Sequence, residues 1–174
     1  MLTVGDKFPP FLVDACVGLG NDGFKKISND TYKNKWVCYF FYPKDFTSVC
    51  NTELVEFGKR AKEFKDRNCE LVSGSTDNEF SHQAWRLAHA ELKDLSYPMI
   101  NAARLAFDLG IVHPQAHACV RATFIVDPEG TVQYAGANPI AVGRSITEIL
   151  RVLDAIQCKE FCPCEWKPGQ PTLK

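Results

Sequence analysis

The sequence lacks the features that would assign it to a membrane, to nucleic acid or to export. No apolar run approaches the roughly 20 residues that are needed to span a bilayer. Residues 1–7 lack the charged and then apolar pattern of a signal peptide. With 20 basic and 21 acidic residues the net charge is −1, so no basic excess indicates nucleic acid or an anionic membrane surface as a partner. We therefore expect a cytoplasmic protein.

Internal repeats and low-complexity tracts are also absent from the 174 residues, a length that fits one domain with a sizeable core. Cysteine, in contrast, is abundant. Without an export signal a disulfide framework is not expected, and thiols in a reducing compartment are catalytic, redox-cycling, metal-bound or simply buried. The cysteines are Cys16, Cys38, Cys50, Cys69, Cys119, Cys158, Cys162 and Cys164.

Hydrophobic patterning predicts strands that alternate with helices, followed by a hairpin and a closing helix. Strands are predicted at 11–13, 25–28, 36–41, 70–75, 97–100, 122–126 and 132–135, and helices at 48–66, 79–89, 102–109 and from Ser145 onward. The inward face of the helix at 79–89 is predicted to carry Phe80, Ala84, Leu87 and Ala88. We expect an α/β protein with a thioredoxin-like three-layer α/β/α domain and a mixed central sheet over residues 1–157. Residues 158–174 are expected to form an extended C-terminal tail.

One cysteine, Cys50, stands where a predicted strand ends and a predicted helix begins. Pro43 cannot continue a central strand, and Thr47 is a suitable N-cap, so Cys50 falls in the first helical turn. Free backbone N–H groups and the positive end of the helix dipole favour an anion there. Because the thiolate is the nucleophilic form of cysteine, this placement predicts a reactive thiol. The alternative is an ordinary buried cysteine.

Residues 43–53, with the pattern Pro-x-x-x-Thr-x-x-Cys followed by Thr-Glu, resemble the peroxidatic loop of the peroxiredoxins. Further resemblances lie at 4–9, at the His-x-x-Trp pattern of 82–85, at 120–127, at 142–145, and at 161–169, where Cys-Pro precedes Trp-Lys-Pro-Gly. Together they cover nearly the whole chain. The sequence is identified as a member of the typical two-cysteine (2-Cys) peroxiredoxin class, of the alkyl hydroperoxide reductase C type. Its Cys-x-Cys tail is similar to that of actinobacterial members served by a separate alkylhydroperoxidase-type partner.

The resemblance implies a peroxidase in which Cys50 attacks hydrogen peroxide or an organic hydroperoxide and becomes a sulfenic acid. Thr47 and Arg121, with backbone N–H groups, would hold the peroxide, and Pro43 would shield the sulfenic acid. Arg121 would also supply a fixed positive charge beside the thiol, and the alternative for this arginine is a surface residue. Cys162 of the partner subunit would condense with the acid to give a disulfide, which an external dithiol reductant would reduce.

Several neighbours receive supporting roles from the same resemblance. Glu53 and Arg144 resemble a pair that orients the site, and the alternative for each is an exposed helix charge. Trp85 is expected to pack against the wall of the site and to take no part in the chemistry. Cys164 could resolve in place of Cys162, pair with it or pass electrons onward.

The resemblance also implies which reductants, cofactors and assembly the enzyme would have. No cofactor and no metal are expected. Thioredoxin, a flavin-dependent disulfide reductase and an alkylhydroperoxidase-type adaptor are all candidate reductants. A homodimer is required if the resolving thiol acts in trans, and a decamer built from such dimers is a candidate assembly. The function would be antioxidant defence and cell redox homeostasis. Cys16 and Cys119 receive no role.

Other functions for the cysteines are open. Cys158, Cys162 and Cys164 could hold a metal, but structural zinc takes four ligands and no fourth cysteine or histidine lies nearby in the sequence. A dithiol–disulfide oxidoreductase usually carries Cys-x-x-Cys at the helix start, whereas residues 51–53 after Cys50 contain no second thiol. A ring-shaped oligomer could also hold unfolding client proteins, a role that does not compete with a peroxidase.

We predict that Cys50 resists over-oxidation. Residues 110–121 form a short segment without the Gly-Gly-Leu-Gly insertion of sensitive family members, and the sequence printed ends at Lys174 without their additional Tyr-Phe helix. During turnover at low micromolar peroxide, mass spectrometry should find Cys50 as thiol, sulfenic acid or disulfide, with a digest of untreated protein as the control. Cys50 sulfinic acid under these conditions would contradict the prediction.

Overall fold

A seven-stranded mixed sheet organises residues 1–144 in the computed structural model, which describes every residue from Met1 to Lys174. The strand order is β2-β1-β5-β4-β3-β6-β7, and the two pairs β3–β4 and β4–β5 are parallel while the others are antiparallel. The strands are β1 Leu12–Cys16, β2 Phe24–Ser28, β3 Trp36–Phe41, β4 Cys69–Ser75, β5 Met99–Asn101, β6 Arg121–Val126 and β7 Val132–Asn138. The predicted α/β class with a mixed sheet is confirmed.

The chain contains five helices, and two of them replace one predicted helix. They are α1 Ser48–Lys59, α2 Ala61–Lys65, α3 Glu79–Ala88, α4 Ala103–Asp108 and α5 Ile146–Cys158. The single helix predicted over 48–66 is interrupted at Arg60, whose backbone leaves helical geometry with φ −102° and ψ 7°. The apolar stripe nevertheless continues across the break, because Phe57 and Phe64 are both fully buried. None of the helices has the length and apolar character that crossing a membrane requires.

The central strand β3 is apolar throughout because both of its faces are covered. Successive side chains of a strand point to opposite faces. On one face the ring of Phe40 stacks on Phe57 of α1, with centroids 3.7 Å apart. On the other face the ring of Tyr39 stacks on Phe8, with centroids 4.3 Å apart. A strand packed on both faces explains the unbroken apolar run in the sequence.

The antiparallel pairing of β3 with β6 determines which residues meet at one end of the sheet. Phe40 lies opposite Thr123 in this register. The first residue of β6, Arg121, therefore reaches the end of the sheet where β3 finishes and the chain continues into α1. A one-residue slip in β6 would turn Arg121 to the opposite face.

The predicted inward face of α3 is wrong, because a different set of residues is buried. His82, Trp85 and Arg86 are buried, and the guanidinium of Arg86 donates to three backbone carbonyls within residues 92–95 at 2.8 to 3.2 Å. Hydrogen bonds of this kind make the burial of a charged side chain possible. The four residues predicted to face inward are exposed instead: Phe80, Ala84, Leu87 and Ala88.

Residues Ser145–Lys174 form a second compact unit, which contains α5 and the C-terminal segment. Ser145 caps α5 as predicted, since its hydroxyl accepts a hydrogen bond from the backbone N–H of Glu148. The segment after α5 contains no helix or strand, but Trp166 is buried and its indole N–H donates to the carbonyl of Gln170 at 3.0 Å. The structure thus groups α5 with the tail, and the predicted boundary after residue 157 stays a prediction.

Candidate active site

Cys50 is the third residue of α1, and a short loop separates it from β3. The loop starts at Tyr42, whose N–H still donates to the carbonyl of Gly74 in β4, and Pro43 follows. Thr47 occupies the N-cap position as predicted, but its hydroxyl does not cap the helix and donates instead to the carbonyl of Lys44 at 2.7 Å. The backbone N–H groups of the first turn are therefore left without a side-chain cap, so they are available to a ligand.

A cavity of about 500 Å³ opens at this helix start and brings four predicted site residues together. Pro43, Thr47, Cys50 and Arg121 all line it. The remaining walls are largely small or apolar and include Val49, Ala116, Ala118 and Ile140. The side chain of Cys50 is buried at the cavity wall, with 0% exposure. A reacting group would therefore reach the sulfur from this cavity.

The guanidinium of Arg121 lies directly against the thiol. Its Nη1 is 3.3 Å from Cys50 Sγ and also donates to Glu53 Oε2 at 2.8 Å. Its Nε and Nη2 both donate to the carbonyl of Ile140, at 2.8 and 2.6 Å. Because three of its nitrogens are held in this way, the side chain presents a fixed donor and a positive charge to the sulfur.

Glu53 joins the two buried arginines of the site. Its Oε1 accepts from the backbone N–H and the Nε of Arg144 at 3.0 and 2.8 Å, and its Oε2 accepts from Arg144 Nη2 and Arg121 Nη1 at 2.8 Å each. The side chains of Glu53 and Arg144 are 3% and 4% exposed, so the interpretation of either as an exposed helix charge is wrong. One carboxylate therefore serves two guanidinium groups, and one positive charge is left over beside Cys50. A thiolate there would balance it.

The pKa of Glu53 reflects these contacts. Burial by itself would raise the pKa, but the hydrogen bonds and charge of Arg144, with the charge of Arg121, outweigh burial and hold the pKa below its ordinary value of 4.5. The carboxylate form is thus stabilised by the fold. A carboxyl with a lowered folded-state pKa stabilises the native state at neutral pH, and this contribution is lost as the pH falls through the folded pKa.

The loop before Cys50 is held by a buried network that the sequence did not reveal. Asp45 accepts from the hydroxyl of Tyr42 and lies 2.8 Å from Nδ1 of His82, whose Nε2 is 3.1 Å from a backbone carbonyl of β5. The N–H of Asp45 donates to Asp77 at 2.9 Å. All three members of the Tyr42–Asp45–His82 group are buried. The only sequence signal was the position of His82 in the His-x-x-Trp pattern, because the burial of a loop aspartate has no local signature.

Trp85 lies behind the same loop. Its ring is buried, with its centroid 5.8 Å from that of Phe46 and 6.0 Å from that of Tyr42. Phe46 itself has a φ of 57°, a left-handed conformation that is uncommon for an aromatic residue. Packing on Trp85 therefore supports a loop conformation with a local conformational cost.

The remaining cysteines fall into a buried group and a tail group. Cys16, Cys38, Cys69 and Cys119 are core thiols, and burial raises the pKa of Cys38 and of Cys119 to about 12. Such thiols are protonated at neutral pH and unreactive. In the second unit Cys164 is exposed, while Cys162 is half-buried with its sulfur 3.2 Å from that of Cys158. Desolvation and this contact raise the pKa of Cys162 above 9.0. No group of three or more His, Cys, Asp or Glu side chains converges to hold a metal ion.

The chain is similar to known proteins along nearly its whole length. The model of the AhpC/TSA family matches residues 4–135. The alkyl hydroperoxide reductase C of Mycolicibacterium smegmatis is 42% identical over 99% of this chain and 94% of its own length. The mitochondrial thioredoxin-dependent peroxide reductase of Mus musculus is 41% identical over 88% of this chain and 63% of its own length.

Solved structures show the same architecture. The AhpC of Mycobacterium tuberculosis superposes with a TM-score of 0.87 at 39% identity, covering 96% of this chain and 99% of its own. The reduced 2-Cys peroxiredoxin of Plasmodium vivax superposes with a TM-score of 0.91 at 31% identity, covering 100% of this chain and 94% of its own. The fold is thus the thioredoxin-like fold of these enzymes, and the similarity to alkyl hydroperoxide reductase C along nearly the whole chain identifies a peroxidase. The chain belongs to the AhpC/TSA family, within which it is a peroxiredoxin of the alkyl hydroperoxide reductase C type.

We predict that Glu53→Gln destabilises the protein by about 3 kcal/mol at pH 7, because two buried guanidinium groups lose their only carboxylate. The difference from wild type should shrink as the pH falls below 4.5, the ordinary pKa, and should vanish once the pH has fallen through the lower folded-state pKa of Glu53. Urea unfolding at fixed protein concentration, measured from pH 7 to pH 3, tests both parts.

Glu56→Gln is the matched control, since Glu56 is an exposed acid on the same helix. It should change the free energy of unfolding by no more than about 0.5 kcal/mol. A Glu53→Gln penalty that is equally small, or one that stays constant with pH, would show that the charge balance at this site does not stabilise the fold.

Proposed function

We propose that this enzyme reduces hydrogen peroxide and organic hydroperoxides through a sulfenic acid on Cys50. Cys162 of the partner subunit resolves this acid to an intersubunit disulfide, and an external dithiol restores both thiols. The observation that carries the proposal is the 3.3 Å contact between Arg121 Nη1 and Cys50 Sγ, at a buried site with one uncompensated positive charge. The cellular role is antioxidant defence and redox homeostasis, in the cytoplasm.

In the first step the thiolate of Cys50 attacks one peroxide oxygen, the O–O bond breaks, and the departing oxygen takes a proton to leave as water or an alcohol. Charge moves from sulfur to that oxygen during the attack. Arg121 and the uncapped N–H groups at the start of α1 are positioned to stabilise it. The hydroxyl of Thr47 donates to Lys44, so its oxygen remains able to accept the hydrogen of the incoming peroxide. Pro43 closes the loop side of the cavity.

The cavity supports the inclusion of organic hydroperoxides among the substrates. Its volume of about 500 Å³ exceeds what hydrogen peroxide fills, and its walls of Val49, Ala116, Ala118 and Ile140 offer apolar contacts. An alkyl substituent would gain free energy by leaving water for this surface. Hydrogen peroxide, which has no such group, would rely on the polar contacts alone.

The second step requires a thiol from elsewhere, because every other cysteine of residues 1–144 is a buried core thiol. The sulfur of Cys162 attacks the sulfenic sulfur, water leaves, and a disulfide forms. The reductant of this disulfide is thioredoxin, a flavin-dependent disulfide reductase or an alkylhydroperoxidase-type adaptor. The proposal includes a homodimer and a decamer built from dimers. Exposed Cys164 is the alternative resolving thiol.

Variants compared on a non-reducing gel test the assignment of the two cysteines. One equivalent of hydrogen peroxide, quenched at once with an alkylating agent, should convert wild type to a disulfide-linked dimer band. Cys50→Ser and Cys162→Ser should each abolish the band, because each removes one of its two sulfurs. Cys164→Ser should retain it.

The outcomes separate the alternatives. Loss of the band in Cys164→Ser but not in Cys162→Ser would move the resolving role to Cys164. A band that survives in Cys50→Ser would contradict the proposed function, since peroxide would then act on a different thiol.

Arg121→Ala should lower the second-order rate constant of Cys50 with hydrogen peroxide by about 10²-fold, the typical effect of removing one charge-stabilising donor. Competition kinetics against a reference peroxidase give this constant. Arg104→Ala is the matched control, because Arg104 forms an exposed ion pair with Asp108 and does not line the cavity. A control that loses as much activity, or an Arg121→Ala variant that loses none, would remove the arginine from the mechanism.

A further inference from the structure

Cys158 has no role in the cycle described above, yet its sulfur contacts that of the proposed resolving thiol. Cys158 is the last residue of α5, and the chain reverses at Lys159, which adopts a left-handed conformation with φ 58°. A left-handed residue after the last helical turn is a common way to end a helix. The reversal returns Cys162 to the end of α5, where the two Sγ atoms are 3.2 Å apart.

The segment that carries Cys162 is held in this position by the end of the chain. The backbone N–H of Leu173 donates to the carbonyl of Phe161 at 2.7 Å, and the hydroxyl of Thr172 donates to the carboxylate of Glu160. Further along, Arg151 of α5 donates to the carbonyl of Trp166 at 3.2 Å. These hydrogen bonds connect α5, the turn and the last residues into one small structure, so the contact between the two sulfurs belongs to an ordered arrangement.

The geometry suits a disulfide between these two cysteines. A disulfide bond is about 2.05 Å long, so the sulfurs need to approach by only about 1.2 Å. Both side chains are half-buried, so an external thiol has access to them. Cys164 is exposed, and the sulfur that Cys162 contacts is that of Cys158.

We propose that Cys158 is a relay thiol that takes the disulfide over from Cys50. This inference rests on the proposed function, because the relay starts from the intersubunit disulfide between Cys50 and Cys162. The thiolate of Cys158 attacks the sulfur of Cys162 in its own chain, a Cys158–Cys162 bond forms, and the bond from Cys162 to Cys50 of the partner subunit breaks. Cys50 leaves as a thiolate. One disulfide is exchanged for another, so no further oxidant or reductant takes part.

The exchange changes the location of the oxidised pair. Before it, the disulfide connects two subunits and includes a cysteine that is buried beneath a loop. After it, the disulfide lies within one chain at the end of α5, and Cys50 is again free to meet peroxide. The external dithiol would then reduce an accessible intrachain bond, without opening the site around Arg121.

Tryptic peptides distinguish the two disulfides, because cleavage after Lys159 separates Cys158 from Cys162. Cys158 falls in peptide 152–159, Cys162 in 160–174 and Cys50 in 45–59. Wild-type protein treated with one equivalent of hydrogen peroxide and alkylated at successive times should first show 45–59 linked to 160–174. That linkage should then be replaced by 152–159 linked to 160–174, while the dimer band on a non-reducing gel gives way to monomer.

Cys158→Ser should stop at the first linkage, with a persistent dimer band and loss of the second linkage. Cys158→Ala should behave in the same way, which separates the loss of the thiol from an effect of the new hydroxyl. Ala155→Ser is the matched control, because it adds a hydroxyl one turn earlier on the same face of α5 and leaves the three tail thiols in place. It should follow the wild-type sequence of linkages.

Other outcomes would overturn the relay. If the Cys50 linkage forms in wild type but never passes to Cys158, the relay is wrong and the proposed peroxidase cycle stands. If Cys50→Ser protein acquires the Cys158–Cys162 linkage as fast as wild type does, peroxide oxidises the pair directly. If no Cys50 linkage forms in any variant while Cys50 is required for peroxide consumption, both the resolving step and the relay fail.

Discussion

Charge balance in a buried space is the constraint on which the site depends. Glu53 is the only carboxylate that contacts the guanidinium groups of Arg121 and Arg144, and all three side chains are almost completely buried. A buried positive charge without a partner is costly, so the fold favours a second anion beside Arg121. The sulfur of Cys50 is the group in that position, 3.3 Å away. The same contacts that join α1, β6 and residue 144 thus place a fixed positive charge beside this sulfur.

Contacts that stabilise the fold also position residues of the site elsewhere in the chain. Phe40 stacks on Phe57 and lies under the guanidinium of Arg144, with 5.4 Å from its ring centroid to the guanidinium carbon. The aromatic packing that attaches α1 to the sheet therefore also positions an arginine of the charged group. On the other side of Cys50, the buried pair of Asp45 and His82 holds the loop that carries Thr47. Cys50 lies between two buried polar networks, each fixed to the sheet.

The sequence predicted the parts of this arrangement that have local signatures. The apolar run of β3, the proline after it and the helix start at Thr47 follow from patterning and turn chemistry alone. Arg121 precedes a clear strand and so falls at this end of the sheet, but only the family resemblance distinguished it from a surface arginine. The buried face of α3 was mispredicted. Arg86 is buried because its guanidinium donates to backbone carbonyls of the following segment, and helical periodicity contains no information about such partners. The contact between the sulfurs of Cys158 and Cys162 likewise depends on the left-handed conformation of Lys159. Lysine rarely adopts this conformation, so the sequence does not predict it.

The site joins residues that are far apart in the sequence, which has a consequence during synthesis of the chain. Cys50 and Arg121 are 71 positions apart, so at ribosomal rates of about 5–20 residues per second the thiol is synthesised several seconds before its arginine. Until β6 pairs with β3, the nascent chain carries Cys50 without the guanidinium of Arg121 beside its sulfur. The contact between the sulfur and the guanidinium is therefore a property of the folded chain alone, formed only after β6 has been made and has paired with β3.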